Sequence, residues 1–230
     1  MSLFAIADTH LSLSTGKTME VFRGWVDYEK RLEKQWKALV EPEDTVVVAG
    51  DICWAMRLEE ALPDFRFLEA LPGRKILLKG NHDYWWTTLS KMNRFLEENN
   101  LTSLCFLYNN AYRVGDTALC GTRGWFYDAE TDADKKVLQR EVGRLRASIQ
   151  AAKTLGGEPI AFLHYPPLSA NQVCEELFAV LREEGIRRCC YGHVHAKTAY
   201  EALRGRFQGI EFRLISSDFL EFCPILVEKS

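Results

Sequence analysis

Short apolar runs alternate with longer amphipathic stretches along the first half of this 230-residue chain. Three of the runs lie at Leu3–Ala7, Thr45–Ala49 and Lys75–Lys79, and each has the length and apolar character of a buried strand. The stretch from Val21 to Val40 carries apolar residues at helical spacing, and Trp85–Glu98 shows the same pattern. This alternation of strand and helix predicts an α/β fold.

The second half continues with elements of more varied length. We expect short β segments from Leu104 to Gly121 and a long amphipathic helix from Thr131 to Leu155. Strands are expected at Pro159–Leu163 and Arg188–Tyr191, and three further short strands between Lys197 and Val227. No tandem repeat, low-complexity tract or Gly/Ser linker interrupts the chain, so we expect one domain over residues 1–230.

The composition excludes several classes of protein. The net charge of −3 at pH 7 gives no general attraction to nucleic acid or to an anionic membrane. The seven cysteines are odd in number and form no C-x-x-C pair, which argues against a disulfide framework and a thiolate zinc site. No signal peptide is evident, and no apolar stretch approaches the roughly 20 residues that a membrane helix needs. We therefore expect a cytoplasmic protein that binds neither membranes nor nucleic acid.

A side chain of a metal-binding type follows each of five predicted strands, within two residues of the strand end. These residues are Asp8, Asp51, Asn81, His164 and His193. In open α/β sheets the ligand site lies beyond the carboxyl ends of the strands. Five separate strands would therefore deliver such groups to one edge of the fold.

All five histidines of the chain lie at or beside these strand ends, in four short motifs. The motifs are Asp8-Thr9-His10, Gly80-Asn81-His82-Asp83, a single His164, and Gly192-His193-Val194-His195. Imidazole and carboxylate groups together are what a divalent metal centre needs. A lone buried histidine is more often a hydrogen-bonded core residue, but that interpretation would have to hold for every histidine here.

The order and spacing of these motifs resemble those of the calcineurin-like metallophosphoesterase superfamily. The pattern is Asp-x-His, Gly-Asp, Gly-Asn-His-Asp, a single His and Gly-His-x-His, and it extends from Asp8 to His195. Three stretches are similar to a bacterial branch of predicted phosphohydrolases, namely Gly50–Met56, Asn81–Trp86 and Gly121–Trp125. The resemblance implies an α/β fold, α+β in some schemes, built as a four-layer sandwich of two mixed β-sheets flanked by helices.

The resemblance also implies a role for each residue of the motifs. The first of two divalent metal ions would be held by Asp8, His10 and His195. The second would be held by Asn81, His164 and His193, and Asp51 would bridge both ions. The catalytic histidine, close to the substrate rather than on a metal, would be His82.

The expected activity is hydrolysis of a phosphorylated small molecule by a hydroxide that bridges the two metals. The ligand set of nitrogen and oxygen suits Mn²⁺, Fe or Zn²⁺ better than Ca²⁺. The alternatives are a phosphodiesterase, a nucleotide or lipid diphosphatase, a protein with one metal, and a non-catalytic binding scaffold of the same fold. The scaffold would have lost ligands or the catalytic histidine, whereas all of those positions are filled here.

Residues beside the motifs carry further hypotheses, each with an alternative. Arg123 would reach a substrate phosphate with its planar guanidinium, or else form a surface salt bridge. Asp83 would either orient the ring of His82 or be a solvated turn residue. The polar loop Leu11–Met19 would border the cleft or be idle. Four tryptophans would line the cleft or pack in the core beneath it: Trp54, where many members carry Asp or Asn, and Trp85, Trp86 and Trp125.

Overall fold

The computed structural model of the chain describes residues 1–125, 131–169 and 172–229. Their strands form two mixed β-sheets flanked by helices, which confirms the predicted fold class. Within these ranges no helix is both long enough and apolar enough to cross a membrane.

The first sheet has five strands in the order β11, β1, β2, β3 and β4. Their bounds are Ser2–Ile6 for β1, Thr45–Ala49 for β2, Arg74–Leu78 for β3, Leu104–Leu107 for β4 and Ile225–Lys229 for β11. Strands β1 to β4 run parallel, and β11 pairs antiparallel with β1. The helices of this half are α1 (Tyr28–Leu39), α2 (Leu62–Glu69) and α3 (Leu89–Glu98), with a short 3₁₀ helix at Leu58–Ala61.

The second sheet has six strands in the order β5, β6, β7, β8, β10 and β9. Their bounds are Tyr112–Val114, Thr117–Thr122, Glu158–Leu163, Arg188–Tyr191, Gly205–Phe207 and Ile210–Leu214 for β5 to β10 in chain order. The four inner strands run parallel, and β5 and β9 are antiparallel edges. The helices of this half are α4 (Asp132–Leu155), α5 (Glu175–Glu183) and α6 (Ala196–Glu201).

The two sheets share an apolar core between them. Val47 and Ile76 from the first sheet pack in one buried cluster with Ile160 and Phe162 from the second. The outer faces of the sheets carry two further clusters, which the helices cover. Because each sheet buries apolar side chains on both faces, its inner strands are continuous apolar runs, as the sequence pattern indicated.

Backbone hydrogen bonds also join the sheets at the carboxyl ends of their parallel strands. Beyond β1, the N–H of Ala7 donates to the carbonyl of Ile215 at 2.7 Å, and the N–H of Ser217 donates to the carbonyl of Ala7 at 2.9 Å. Within the second sheet, the N–H of Gly192 donates to the carbonyl of His164 at 3.1 Å. These bonds bring the segments that follow strands of both sheets to one edge.

Two helices begin later than the sequence pattern predicted, and the tail contains one that was not predicted. The helix expected from Val21 begins at Tyr28, because Gly24 takes a φ of 93° that helical backbone does not allow. The helix expected from Trp85 begins at Leu89, after Thr88, whose side chain accepts the N-terminal hydrogen bond from Lys91. Helix α6 lies where the sequence predicted the first strand of the tail.

Candidate metal centre

Seven side chains with nitrogen or oxygen donors converge beyond the carboxyl ends of five strands. Four of them are almost completely removed from solvent: Asp8, His10, Asp51 and His164. The other three are partly buried: Asn81, His193 and His195. Burial of polar groups without compensation is unfavourable, so this concentration at one edge requires a functional reason.

Asp8, His10 and His195 form one candidate group, in which a ligand atom of each residue lies within 4.8 Å of the others. Nε2 of His195 lies 3.5 Å from Oδ1 of Asp8. The backbone N–H of His193 donates to Oδ2 of Asp8 at 2.9 Å, which fixes the orientation of the carboxylate.

Asp51, His164 and His193 form the second group by the same measure. Nε2 of His164 lies 3.5 Å from Oδ2 of Asp51 and 3.3 Å from Nδ1 of His193. It also lies 2.7 Å from Oδ1 of Asn81. Because the opposite ring nitrogen, Nδ1, donates to the carbonyl of Ala49 at 3.1 Å, Nε2 presents a lone pair to the oxygens of Asp51 and Asn81.

Asp51 lies between the two groups. Its Oδ2 is 3.7 Å from Nε2 of His10 in the first group and 3.5 Å from Nε2 of His164 in the second. Its Oδ1 accepts a hydrogen bond from the backbone N–H of His82 at 2.8 Å. One carboxylate therefore faces both groups and also positions the loop that carries His82.

The crowding of these groups shifts their protonation. Burial and the neighbouring Asp8 carboxylate raise the pKa of Asp51 to about 8. Burial and the nearby ring of His164 lower the pKa of His193 to about 3. Burial alone would lower the pKa of His195, but Asp8 and Asp218 outweigh it and raise the pKa to about 10. Burial and repulsion between the two carboxylates thus favour a proton on Asp51, a proton that a bound cation would displace.

Four of the seven residues have left-handed backbone conformations that side chains disfavour. Their φ angles are 59° at Asp8, 43° at His10, 50° at Asp51 and 73° at His193. Such conformations cost about 1–3 kcal/mol each and cluster at functional sites, where the surrounding structure holds them. The turns after the strands are therefore shaped for the positions of these side chains rather than for backbone stability.

Two glycines of the motifs are required because neighbouring atoms lie too close to them for a side chain. A Cβ on Gly80 would lie 2.1 Å from the backbone nitrogen of Asp51, and one on Gly192 would lie 2.5 Å from Oδ2 of Asp8. Both distances are far below van der Waals contact. The glycines let neighbouring loops pack directly against the two carboxylates.

Asp83 has a role that neither hypothesis from the sequence described. Its side chain is fully buried, so it is not a solvated turn residue. Its Oδ1 accepts from the N–H of Ile52 at 2.9 Å, and its Oδ2 accepts from the N–H of Gly80 at 2.7 Å. The carboxylate therefore binds backbone amides rather than the ring of His82, and it ties together the loops that carry Asp51 and Asn81.

Asp218, beyond strand β10, contacts a donor although the sequence pattern did not indicate it. Nδ1 of His195 lies 2.8 Å from Oδ1 of Asp218, and the N–H of Ala196 donates to Oδ2 at 3.0 Å. A carboxylate bound to the far nitrogen of a metal-type histidine orients the ring. Asp218 lies four residues past the end of β10, outside the two residues within which the donors follow their strands, so the sequence pattern did not indicate it.

A cavity of about 400 Å³ opens directly onto the donors. His82 lies on its wall, with its ring 4.6 Å from that of Trp54, which in turn stacks on His10 at 4.9 Å. Lys17 and Thr18 also line the cavity, so the polar loop borders the cleft. Nζ of Lys17 lies 3.2 Å above the ring of Trp54.

The other tryptophans do not share this position. Trp85 and Trp86 are buried in the core cluster under the first sheet, where they pack against Phe106. Trp125 is half-buried and packs against Tyr165. Of the four tryptophans, Trp54 alone is among the residues that line the cavity of the donors.

Arg123 lies near the same edge but outside this cavity. Its guanidinium is 3.8 Å from Oε1 of the buried Glu141 and lies over the ring of Trp125 at 4.8 Å. It lines a separate space of about 10 Å³ together with Lys79 and Arg144. Its backbone carbonyl accepts hydrogen bonds from the N–H groups of His164 and Tyr165. A direct role for Arg123 in phosphate binding stays a prediction.

The family model for calcineurin-like phosphoesterases matches residues 1–197. Since this is most of the chain, the protein belongs to the calcineurin-like phosphoesterase family. It is accordingly a hydrolase that acts on phosphate ester bonds, and its family uses divalent metals.

Solved structures show the same fold at low sequence identity. A protein of unknown function from Aquifex aeolicus is 19% identical with a TM-score of 0.55, and the match covers 98% of this chain and 95% of that one. A phosphopantetheinyl hydrolase from Mycobacterium tuberculosis is 16% identical with a TM-score of 0.56, over 94% and 88% of the two chains. The protein TT1561 from Thermus thermophilus is 11% identical with a TM-score of 0.57, over 98% and 97%. None of the curated proteins matches the chain.

Proposed function

We propose that this protein hydrolyses the phosphate ester of a small molecule at a centre of two divalent metal ions. The observation that carries the proposal is the position of Asp51, whose Oδ2 lies 3.7 Å from His10 in one donor group and 3.5 Å from His164 in the other. Two neighbouring cations need an anionic group between them, and a shared carboxylate supplies it.

The residues fit such ions. Nε2 of His164 and Oδ1 of Asn81 are 2.7 Å apart with lone pairs facing, a contact that a cation between them would make favourable. Two ligands about 2.1 Å from one ion and at right angles are about 3 Å apart, close to the spacings found here. Nδ1 of His10 is buried and has no hydrogen-bond partner among the described residues.

The proposed ligands follow from these contacts. One ion would be held by Asp8, His10 and His195, the other by Asn81, His164 and His193, and both by Asp51. The set of imidazole, carboxylate and amide groups suits Mn²⁺, Fe or Zn²⁺. When bound, such ions supply Lewis acidity towards phosphoryl oxygens and lower the pKa of water towards 7.

His82 is the proposed catalytic residue outside the donor groups. It lies on the wall of the cavity, and its backbone N–H donates a hydrogen bond to Oδ1 of Asp51. Burial and the nearby ring of His164 lower its pKa below the ordinary value for histidine. A ring at this position can exchange a proton with the leaving oxygen of a bound ester, which typically contributes about 10²–10⁴ in rate.

The alternatives are distinguished by the substrate. A phosphodiesterase would prefer bis-p-nitrophenyl phosphate over p-nitrophenyl phosphate, and a diphosphatase would act on a pyrophosphate bond. A non-catalytic scaffold would hydrolyse none of them. The complete donor set around Asp51 favours an enzyme over the scaffold.

The decisive experiment compares p-nitrophenyl phosphate and bis-p-nitrophenyl phosphate with protein stripped of metal and reloaded with Mn²⁺, Fe²⁺ or Zn²⁺. Turnover should require metal and reach its maximum at about two ions per chain. Asp51→Asn should abolish turnover and lower the metal content, whereas His82→Ala should lower turnover about 10²–10⁴-fold with the metal retained. The control is Asp132→Asn, since that carboxylate is 94% exposed. Loss of metal in His82→Ala would contradict the division of roles.

A further inference from the structure

Apolar side chains stand exposed at the mouth of the cavity that holds the donors. Val21 is 76% exposed and Phe22 is 55% exposed, and both line that cavity together with the buried Met19. Val26, in the same segment, is also exposed. Single exposed apolar residues are common, but a contiguous group beside a polar cleft marks a binding surface.

Buried residues on either side hold the segment that carries Val21 and Phe22. Trp25 is only 3% exposed, and its ring packs 5.0 Å from Phe222 and 5.7 Å from His10. Backbone hydrogen bonds from Phe22 to Met19 and from Trp25 to Phe22 fix two turns between the anchors. Val21 and Phe22 are therefore held at the mouth by the buried residues on either side of them.

Another part of the cavity lining differs in character. Trp54 presents an aromatic face there, with the ammonium of Lys17 3.2 Å above its ring. Four of the seven donor residues, His10, Asp51, His193 and His195, form the floor, and His82 lies on the wall beside them. The cavity thus joins a floor that would suit an anionic phosphate when metal ions are bound, one cation at the rim and an apolar side formed by Met19, Val21 and Phe22.

We propose that the substrate is a phosphate ester of an apolar alcohol, with its phosphate on the floor and its hydrocarbon group against Val21 and Phe22. This inference rests on the proposed function, because the phosphate of such an ester would bind at the donor groups. The hydrocarbon is chosen over a protein partner because the apolar surface is continuous with the cavity that receives the phosphate. The ammonium of Lys17, at the rim of the cavity, would attract the negative charge of the phosphate on the floor.

The test uses a series of methyl, butyl and octyl phosphate with the full chain. Equilibrium binding of the matching methyl-, butyl- and octylphosphonates, which are not hydrolysed, is measured by calorimetry on protein loaded with Mn²⁺, and KM is measured for the esters on the same protein. Each methylene that leaves water should tighten Kd by up to about fourfold, and burial of only two of the four extra methylenes would make the octyl compound bind more than about tenfold more tightly than the butyl compound. Turnover of p-nitrophenyl phosphate serves as the separate check on the proposed function.

The variant V21S/F22S should weaken binding of the octyl compound much more than that of the butyl compound and so remove most of the dependence on chain length. Its matched control is Leu39→Ser, a 43% exposed leucine that does not line the cavity. If p-nitrophenyl phosphate is hydrolysed but Kd and KM ignore chain length, the inference is overturned and the proposed function stands. If no phosphate ester is hydrolysed with any metal, the proposed function is overturned and the inference with it. A change of oligomeric mass in V21S/F22S without a change in chain-length dependence would assign the face to contact between copies and also overturn the inference.

Discussion

Nδ1 of His195 lies 2.8 Å from Oδ1 of Asp218, and this contact directs the opposite nitrogen, Nε2, towards Asp8. The carboxylate is held in turn by the backbone N–H of Ala196 at 3.0 Å. The geometry makes Asp218 a positioning residue for a proposed ligand of the first metal. It also shows that the donor groups depend on a strand, β10, that contributes no donor of its own.

Asp218→Ala should weaken metal binding about 10–100-fold, because the ring of His195 would lose its fixed orientation and its acceptor. Asp218→Asn should lose less metal affinity, since its amide oxygen still accepts the ring hydrogen bond. Both are measured by titration of metal-free protein with Mn²⁺ and by metal content after dialysis. Asp132→Ala, at an exposed carboxylate, is the control. Unchanged metal affinity in Asp218→Ala would show that the contact does not position a ligand.

Gly192→Ala should displace Asp8, because the added Cβ would lie 2.5 Å from Oδ2 of Asp8 and from Cβ of Ala7. We expect a loss of about 1–3 kcal/mol in the free energy of unfolding and weaker binding of the first metal. Gly143→Ala is the matched control, since nothing lies within 4 Å of its added Cβ and the position is within helix α4. The free energy of unfolding of Gly143→Ala should increase by up to about 1 kcal/mol. Equal effects of the two substitutions in urea unfolding would refute the steric argument.

The sequence predicted the strands and the convergence of donors for a physical reason. Strands buried on both faces must be continuous apolar runs, so a polar residue such as Asp8 or His164 at the end of a run marks the sheet edge. The roles of Asp83 and Asp218 could not be predicted in this way, because they are set by which backbone amide or ring lies near each residue in three dimensions. The late start of helix α1 at Tyr28 was missed because apolar spacing continued through Gly24, whose backbone conformation breaks the helix.

Asp83→Asn should lower both stability and metal affinity. The substitution puts an NH₂ group against one of the backbone N–H donors of Ile52 or Gly80, and an unsatisfied buried donor costs about 1–3 kcal/mol. The loops that carry Asp51 and Asn81 would then separate. Thermal unfolding and metal titration measure the two effects. If kcat falls while the melting temperature and metal content are unchanged, Asp83 acts through His82, which is one of the two hypotheses from the sequence.

The contact between helices α4 and α5 gives a prediction on pH that is independent of the metal centre. Nζ of Lys153 lies 2.6 Å from Oε2 of Glu184, and Arg146 lies 3.0 Å from Oε1. Lys153 and Arg146 hold the pKa of Glu184 below its ordinary value of 4.5. A carboxylate with a lowered pKa contributes stability above its unfolded pKa and loses that contribution as the pH falls through the folded pKa.

Glu184→Gln should therefore lower the melting temperature at pH 7 by about 2–4 °C, as expected for a loss of about 1 kcal/mol in a chain of this size. The difference from the unmodified protein should shrink as the pH falls below 4.5, because protonated Glu184 no longer attracts Lys153 or Arg146. It should also shrink in about 1 M NaCl, since the two cations are partly exposed. Glu43→Gln, at an exposed glutamate in the loop before β2, is the control and should show neither trend. A difference in melting temperature that persists unchanged at about pH 3.5 would mean that Glu184 stabilises the helix contact by packing rather than by charge.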